Sequence, residues 1–219
     1  MKKMNKKGFT LIELLAVIVI LGLLMAIAIP SVTRYITQSR KKTLVNTISN
    51  YIQAVTTDVN NMDYTFTGAN TIYAVPISCI AVERGGSNPF GTWTDFNNSS
   101  WAYVLVQYDA ASSSYNYGFT FKDTAGYGMY PTTSEKLDAK GDNITTTIGS
   151  SLASKYDGFK QTESVVSGET VYNYTTTDKL AAASNWNGFS GVTDSSTTFH
   201  VLKPATAGDR VNSCTIVEK

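Results

Sequence analysis

Phe9-Thr10-Leu11-Ile12-Glu13-Leu14-Leu15-Ala16-Val17-Ile18-Val19-Ile20-Leu21-Gly22 opens an apolar run that continues to Ile29, 21 residues in all. As an α-helix this run is ~31 Å long, enough to cross the hydrocarbon core of a bilayer. Lys2, Lys3, Lys6 and Lys7 precede it with no acidic residue among them. That bias keeps the N-terminus on the cytoplasmic side of a membrane. An ordinary secretory signal is cut after its apolar core, at small residues of the A-x-A kind. Ala26-Ile27-Ala28 followed by Ile29-Pro30 matches that pattern poorly. Glu13 stands four residues inside the run. A carboxylate in that position costs about 2.5–3.5 kcal/mol on insertion scales, so it calls for a partner.

The run itself contains no cation. Cutting the chain between Gly8 and Phe9 creates one, the α-amino group of Phe9. Glu13 lies four residues further on, one helical turn deeper. In a stack of helices, the Glu13 of one copy can meet the Phe9 amine of another in apolar surroundings. A buried charge left without its partner costs several kcal/mol, so this pairing sets the stagger between copies.

Lys6-Lys7-Gly8-Phe9-Thr10-Leu11-Ile12-Glu13-Leu14 resembles the processing motif of type IV prepilins. The resemblance continues through Leu15 to Pro30 and covers about the first thirty residues. It implies a structural filament subunit with no enzymatic activity and no cofactor. It also implies a prepilin peptidase that cuts after Gly8 and methylates Phe9, with Glu13 as the register carboxylate. The expected partners are further copies of this chain, other pilins, the pilus assembly machinery and, before assembly, the membrane. The expected location is a surface pilus, reached from a single-pass membrane precursor. Adhesion, twitching motility and aggregation are the activities such filaments support.

Working outward, Gly22 and Pro30 are expected to weaken or kink the helix, since Pro30 cannot donate to the carbonyl of Ala26. Leu44, Val45, Ile48, Tyr51, Ile52, Val55, Val59 and Met62 then step by three and four, a single apolar stripe that predicts a half-buried helix. Asn60-Asn61 marks its end. Arg34, Arg40, Lys41 and Lys42 fall just outside the membrane-length run. They suit anionic lipid, acidic faces of neighbouring copies or a solvated face.

Beyond Asp63, Tyr, Thr, Ser, Gly and Asn dominate. Trp101–Tyr108 and Tyr115–Phe121 read as a β-hairpin turning through Asp109–Ser114. Tyr115, Tyr117, Phe119 and Phe121 alternate with Asn116, Gly118 and Thr120, which gives one apolar face. That face is the natural cover for the helical stripe. Thr145–Ile148, Val171–Thr175, Thr197–Leu202 and Val211–Val217 read as further strands, and Ser151–Tyr156 as a short helix. Gly85-Gly86 and Pro89-Phe90-Gly91 mark a loop between helix and sheet. The expected fold class is α+β, a long kinked N-terminal helix on an antiparallel β-sheet head. Its parts are a leader (1–8), an assembly helix (9–62, with 9–29 in the membrane) and a head (63–219).

Cys79 and Cys214 are the only cysteines. Joined, they close a loop worth ~4–5 kcal/mol by chain entropy; two buried free thiols are the alternative. Many type IV pilins clip their C-terminal region from a cysteine nearer the end, so this spacing departs from the family pattern. The aromatic head and Gly85-Gly86-Ser87-Asn88-Pro89-Phe90-Gly91 resemble pilins of Gram-positive anaerobes.

Beyond Lys42 there are ten basic and sixteen acidic residues, a net of −6. Such a head is a poor host for a phosphate backbone, so no nucleic-acid partner is expected. His200 is the only histidine and reads as structural. No phosphate loop, CxxC or histidine pair is present. Asp138, Asp142 and Asn143 offer oxygens but lack the spacing of a calcium loop, so no metal is expected. Asn98-Ser99-Ser100, Asn143-Ile144-Thr145 and Asn173-Tyr174-Thr175 match the N-glycan acceptor pattern, which a Ser/Thr/Asn-rich chain supplies cheaply. Trp93, Trp101 and Trp186 suit either a core or a sugar-binding face. The alternatives to a main filament subunit are a minor tip pilin that binds a surface ligand and a pseudopilin of a type II secretion system.

Overall fold

The structure, a computed structural model, describes residues 9–61, 71–80, 82, 88–90, 100–150, 161–166, 169–175, 186–191 and 198–201. A long helix, α1, spans Leu11–Asn60. Among the described residues seven strands follow: β1 (Thr71–Pro76), β2 (Trp101–Asp109), β3 (Ser114–Lys122), β4 (Gly128–Thr133), β5 (Gln161–Val166), β6 (Glu169–Thr175) and β7 (Thr198–Val201). The chain divides into two compact units, Met1–Arg40 and Lys41–Lys219.

In the second unit the spacing of the helical stripe takes effect. Leu44, Val45, Ile48, Tyr51, Ile52, Val55 and Val59 are all buried. They join one cluster with Tyr73 and Val75 of β1, Ala102, Val104 and Val106 of β2, and Phe119 and Phe121 of β3. The β2–β3 register explains the shared face, because Ala102 stands opposite Phe121, Val104 opposite Phe119 and Val106 opposite Tyr117. Tyr51 stacks on Phe119 with ring centroids 6.3 Å apart. Phe90 fills the space beside Phe121 at 4.7 Å. Each such side chain is worth about 1.5–3 kcal/mol in apolar burial. The fold class is therefore α+β, as the hairpin and stripe imply.

The sheet order is β4-β3-β2-β1-β7-β6-β5. Its pairings are antiparallel except β1 with β7, which run parallel. A parallel neighbour needs a long crossover, and β7 arrives only after the connection that follows β6. The sheet is also buried on its second face. Ile72, Ala74, Trp101, Tyr103 and Leu105 are at most 1 % exposed. Residues 186–191 lie against this face. The Gln107 side-chain amide donates to the Ser190 carbonyl at 2.7 Å and accepts from its N–H at 3.2 Å. A methyl group placed on Gly118 would meet the Phe189 ring and the Thr132 carbonyl.

Two expectations are corrected. Thr145–Ile148 is not a strand. Thr145 makes one bridge to Gly128, and residues 146–150 are helical. The Thr145 hydroxyl accepts from the Ile148 N–H at 3.1 Å, so a residue read as β-branched acts instead as a helix N-cap. The segment around Pro89-Phe90 lies between β1 and β2, not between helix and sheet, because β1 precedes it. The expected helix at Ser151–Tyr156, the strand at Val211–Val217, and Trp93 lie outside the described residues.

Candidate assembly site at the start of the helix

Thr10 and Glu13 form a reciprocal pair where α1 begins. One carboxylate oxygen of Glu13, Oε2, accepts from the Thr10 N–H at 2.8 Å and from the Thr10 hydroxyl at 2.7 Å. The Thr10 hydroxyl oxygen accepts in return from the Glu13 N–H at 3.4 Å. This is a capping box. Two N–H groups that the first helical turn leaves unpaired are satisfied by each other's side chains. The Leu14 N–H donates to the Thr10 carbonyl at 3.2 Å, the first backbone bond of the helix. The pattern Thr-x-x-Glu before an apolar run was the available sequence signal for Thr10, and reading Glu13 only as a charge in search of a cation overlooked it.

The box changes how Glu13 is accommodated. Its carboxylate has two donors within its own turn, so it does not enter an apolar environment bare. The second oxygen, Oε1, has no hydrogen-bond partner among the described residues. A carboxylate accepts at both oxygens, so one remains open to a donor outside this chain. Phe9, one residue before the cap, is 85 % exposed. Gly8 lies outside the described residues.

Past the box, the helix presents apolar side chains on every side. Leu11, Ile12, Leu14, Leu15, Ile18 and Leu24 are all more than half exposed. The segment is long and apolar enough to cross a membrane. Helix α1 continues through Gly22 and Pro30. A methyl group on Gly22 would touch nothing within 4 Å. At Pro30 the ring removes the donor for the Ala26 carbonyl. Two hydroxyls just past it reach back across the proline, Ser31 donating to the Ile27 carbonyl at 3.4 Å and Thr33 to the Ile29 carbonyl at 2.9 Å.

Other candidate residues have structural work. The Asp138 carboxylate accepts from the Lys140 N–H at 2.6 Å, and the Asn143 side-chain oxygen accepts from the Asp138 N–H at 2.8 Å. Those oxygens close a turn around Gly141, whose φ is +77°. Backbone pairing places His200 beside Tyr73 of β1 and Asn173 of β6. Trp101 and Trp186 are buried. Cys79 is buried and disulfide-bonded; Cys214 lies outside the described residues.

A capped apolar helix carrying one carboxylate, joined to an α+β head, defines the class of the chain as a pilin-type subunit. The comparisons agree. A family model described as the prokaryotic N-terminal methylation motif matches residues 3–29. The type IV narrow pilus major component PilA5 of Thermus thermophilus is 33% identical over 107 residues, covering 44% of this chain and 77% of that protein. No solved structure matches the chain. The chain belongs to the type IV pilin family, which is structural and not enzymatic. Nothing in these matches supports the narrower resemblance to pilins of Gram-positive anaerobes.

Proposed function

We propose that this chain is a main filament subunit, released from its leader between Gly8 and Phe9, methylated at Phe9 and polymerised through α1. The observation that carries the reading is the half-satisfied carboxylate of Glu13 at the mouth of an apolar helix. Its Oε2 is held by Thr10, which aims the group. Its Oε1 accepts from the Phe9 amine of a neighbouring copy, and the pairing sets the stagger. The membrane-length segment places the precursor in the cytoplasmic membrane, with the leader lysines inside and the head outside. The peptidase and the assembly machinery act on it there. The relative's description as a major component supports the same role here. Filaments of this kind serve adhesion, motility or aggregation.

Three finer assignments belong to this reading. The parts are leader 1–8, assembly helix 9–62 and head 63–219. Gly22 and Pro30 are the places where α1 bends or loosens on entering the filament. Cys79 is bonded to Cys214, the one other cysteine in the chain. Peptide mapping of the unreduced protein should yield a cross-linked Cys79–Cys214 peptide; two separate thiol peptides would refute that bond.

Glu13→Val tests the central step. Cleavage and membrane insertion should persist, while surface filaments fall at least tenfold in a sheared-fibre assay. Normal fibre yield from Glu13→Val would remove the register role.

A further inference from the structure

We propose that the α1 segment just beyond the apolar run is a docking site for anionic phospholipid headgroups, in the leaflet facing the head. The proposal rests on the membrane-spanning precursor described above. Two stripes with the same helical spacing occupy opposite sides of this segment. Val32, Tyr35 and Ile36 form the apolar one and are 55–74 % exposed. Arg34, Thr37 and Gln38 form the polar one. Residues three and four apart share a helix face, which separates the two sets. Beside Pro30 the polar stripe borders a shallow groove lined by Pro30, Thr33, Arg34, Thr37 and Gln38. A guanidinium, a hydroxyl and an amide at one small groove are donors suited to a phosphodiester.

Position and charge choose the occupant. Arg34 and Tyr35 lie five and six residues beyond Ile29, about 8–9 Å along the helix. The headgroup layer begins where the hydrocarbon ends and is roughly 5–7 Å thick on each side. Their backbone therefore lies just outside that layer, and the side chains, which tilt toward the helix N-terminus, reach back into it, arginine by its extended stem and tyrosine with its wet end outward. Arg34 has no hydrogen bond or ion pair among the described residues. No acidic residue occurs between Glu13 and Asp58, whereas Arg34, Arg40, Lys41 and Lys42 all do. The Arg34 guanidinium therefore keeps its donors available to a ligand. The site fixes the depth of the precursor and is stripped of lipid when the subunit leaves the membrane.

The test uses the full chain in phosphatidylcholine bilayers containing spin-labelled phosphatidylglycerol or spin-labelled phosphatidylcholine. The wild type should hold the glycerol lipid at its surface in preference, by roughly fivefold for a single engaged basic residue. High salt should erode that preference. Arg34→Gln alone should reduce it, and Arg34→Gln/Arg40→Gln/Lys41→Gln/Lys42→Gln should lower it to the residual preference that the leader lysines sustain at the opposite surface. Immobilised lipid of both kinds with no preference, or a preference unchanged in the fourfold variant, overturns the headgroup site but leaves the spanning helix standing. No immobilised lipid of either kind overturns the spanning reading as well. An unchanged preference with lost filaments would assign the basic residues to a neighbouring copy instead.

Discussion

Helix α1 contains two regions that differ in what they bury. Before Arg40, bulky side chains face outward on all sides, with Ile20 57 % and Leu24 59 % exposed. After Lys41, only a stripe is apolar, and Leu44, Ile48 and Val55 are at most 1 % exposed. A striped helix has found its partner within its own chain, here the β1–β3 face. The all-round apolar stretch has no such cover among the described residues, the pattern that suits lipid or further copies. The same backbone thus serves as head core in one stretch and as assembly element in the other.

Matched substitutions break or sharpen this contrast. Ile48→Ala should cost the head about 2–5 kcal/mol, read as a lowered thermal midpoint in detergent, because the surrounding core cannot fully collapse on the void. Ile20→Ala should leave that midpoint unchanged and act only on filament yield. Equal losses from both would mean that the first stretch is also part of the head core. A smaller effect separates two glycines. Gly118→Ala forces a methyl against the Thr132 carbonyl and the Phe189 ring, with an expected loss of about 1–3 kcal/mol. Gly22→Ala meets open space, so head stability should not move. In an α-helix the change is favourable by about 1 kcal/mol, so any assembly defect would report a need for flexibility at Gly22.

What the sequence disclosed follows the same division. The stripe from Leu44 to Val59 was legible because one face meets the sheet and the other does not. The β2–β3 hairpin was legible because β3 alternates aromatic with small or polar residues. Strand β1, Thr71-Ile72-Tyr73-Ala74-Val75-Pro76, was not, since both its faces are buried and no period of two survives. Strand β4 was hidden by Pro131, which argues against a strand. It is tolerated because β4 is an edge strand and its register shifts between the positions opposite Phe119 and Phe121. Thr145 was misread because a β-branched residue favours strands on average, while its hydroxyl here caps a helical turn. At the assembly site, the Gly8–Phe9 junction and Glu13 stood out by charge and position. Thr10 did not, because its role depends on geometry across three residues, and a hydroxyl beside an apolar run carries no charge to notice.

The reading of the first stretch as an assembly element is tested most directly by the chemistry of the subunit inside fibres. Filaments sheared from cells should contain this chain lacking residues 1–8, beginning at a methylated Phe9 when its N-terminal peptide is weighed. Antibody to the head should label those fibres along their length. A chain that keeps its leader, or that stays in the membrane fraction while filaments form without it, would contradict the account.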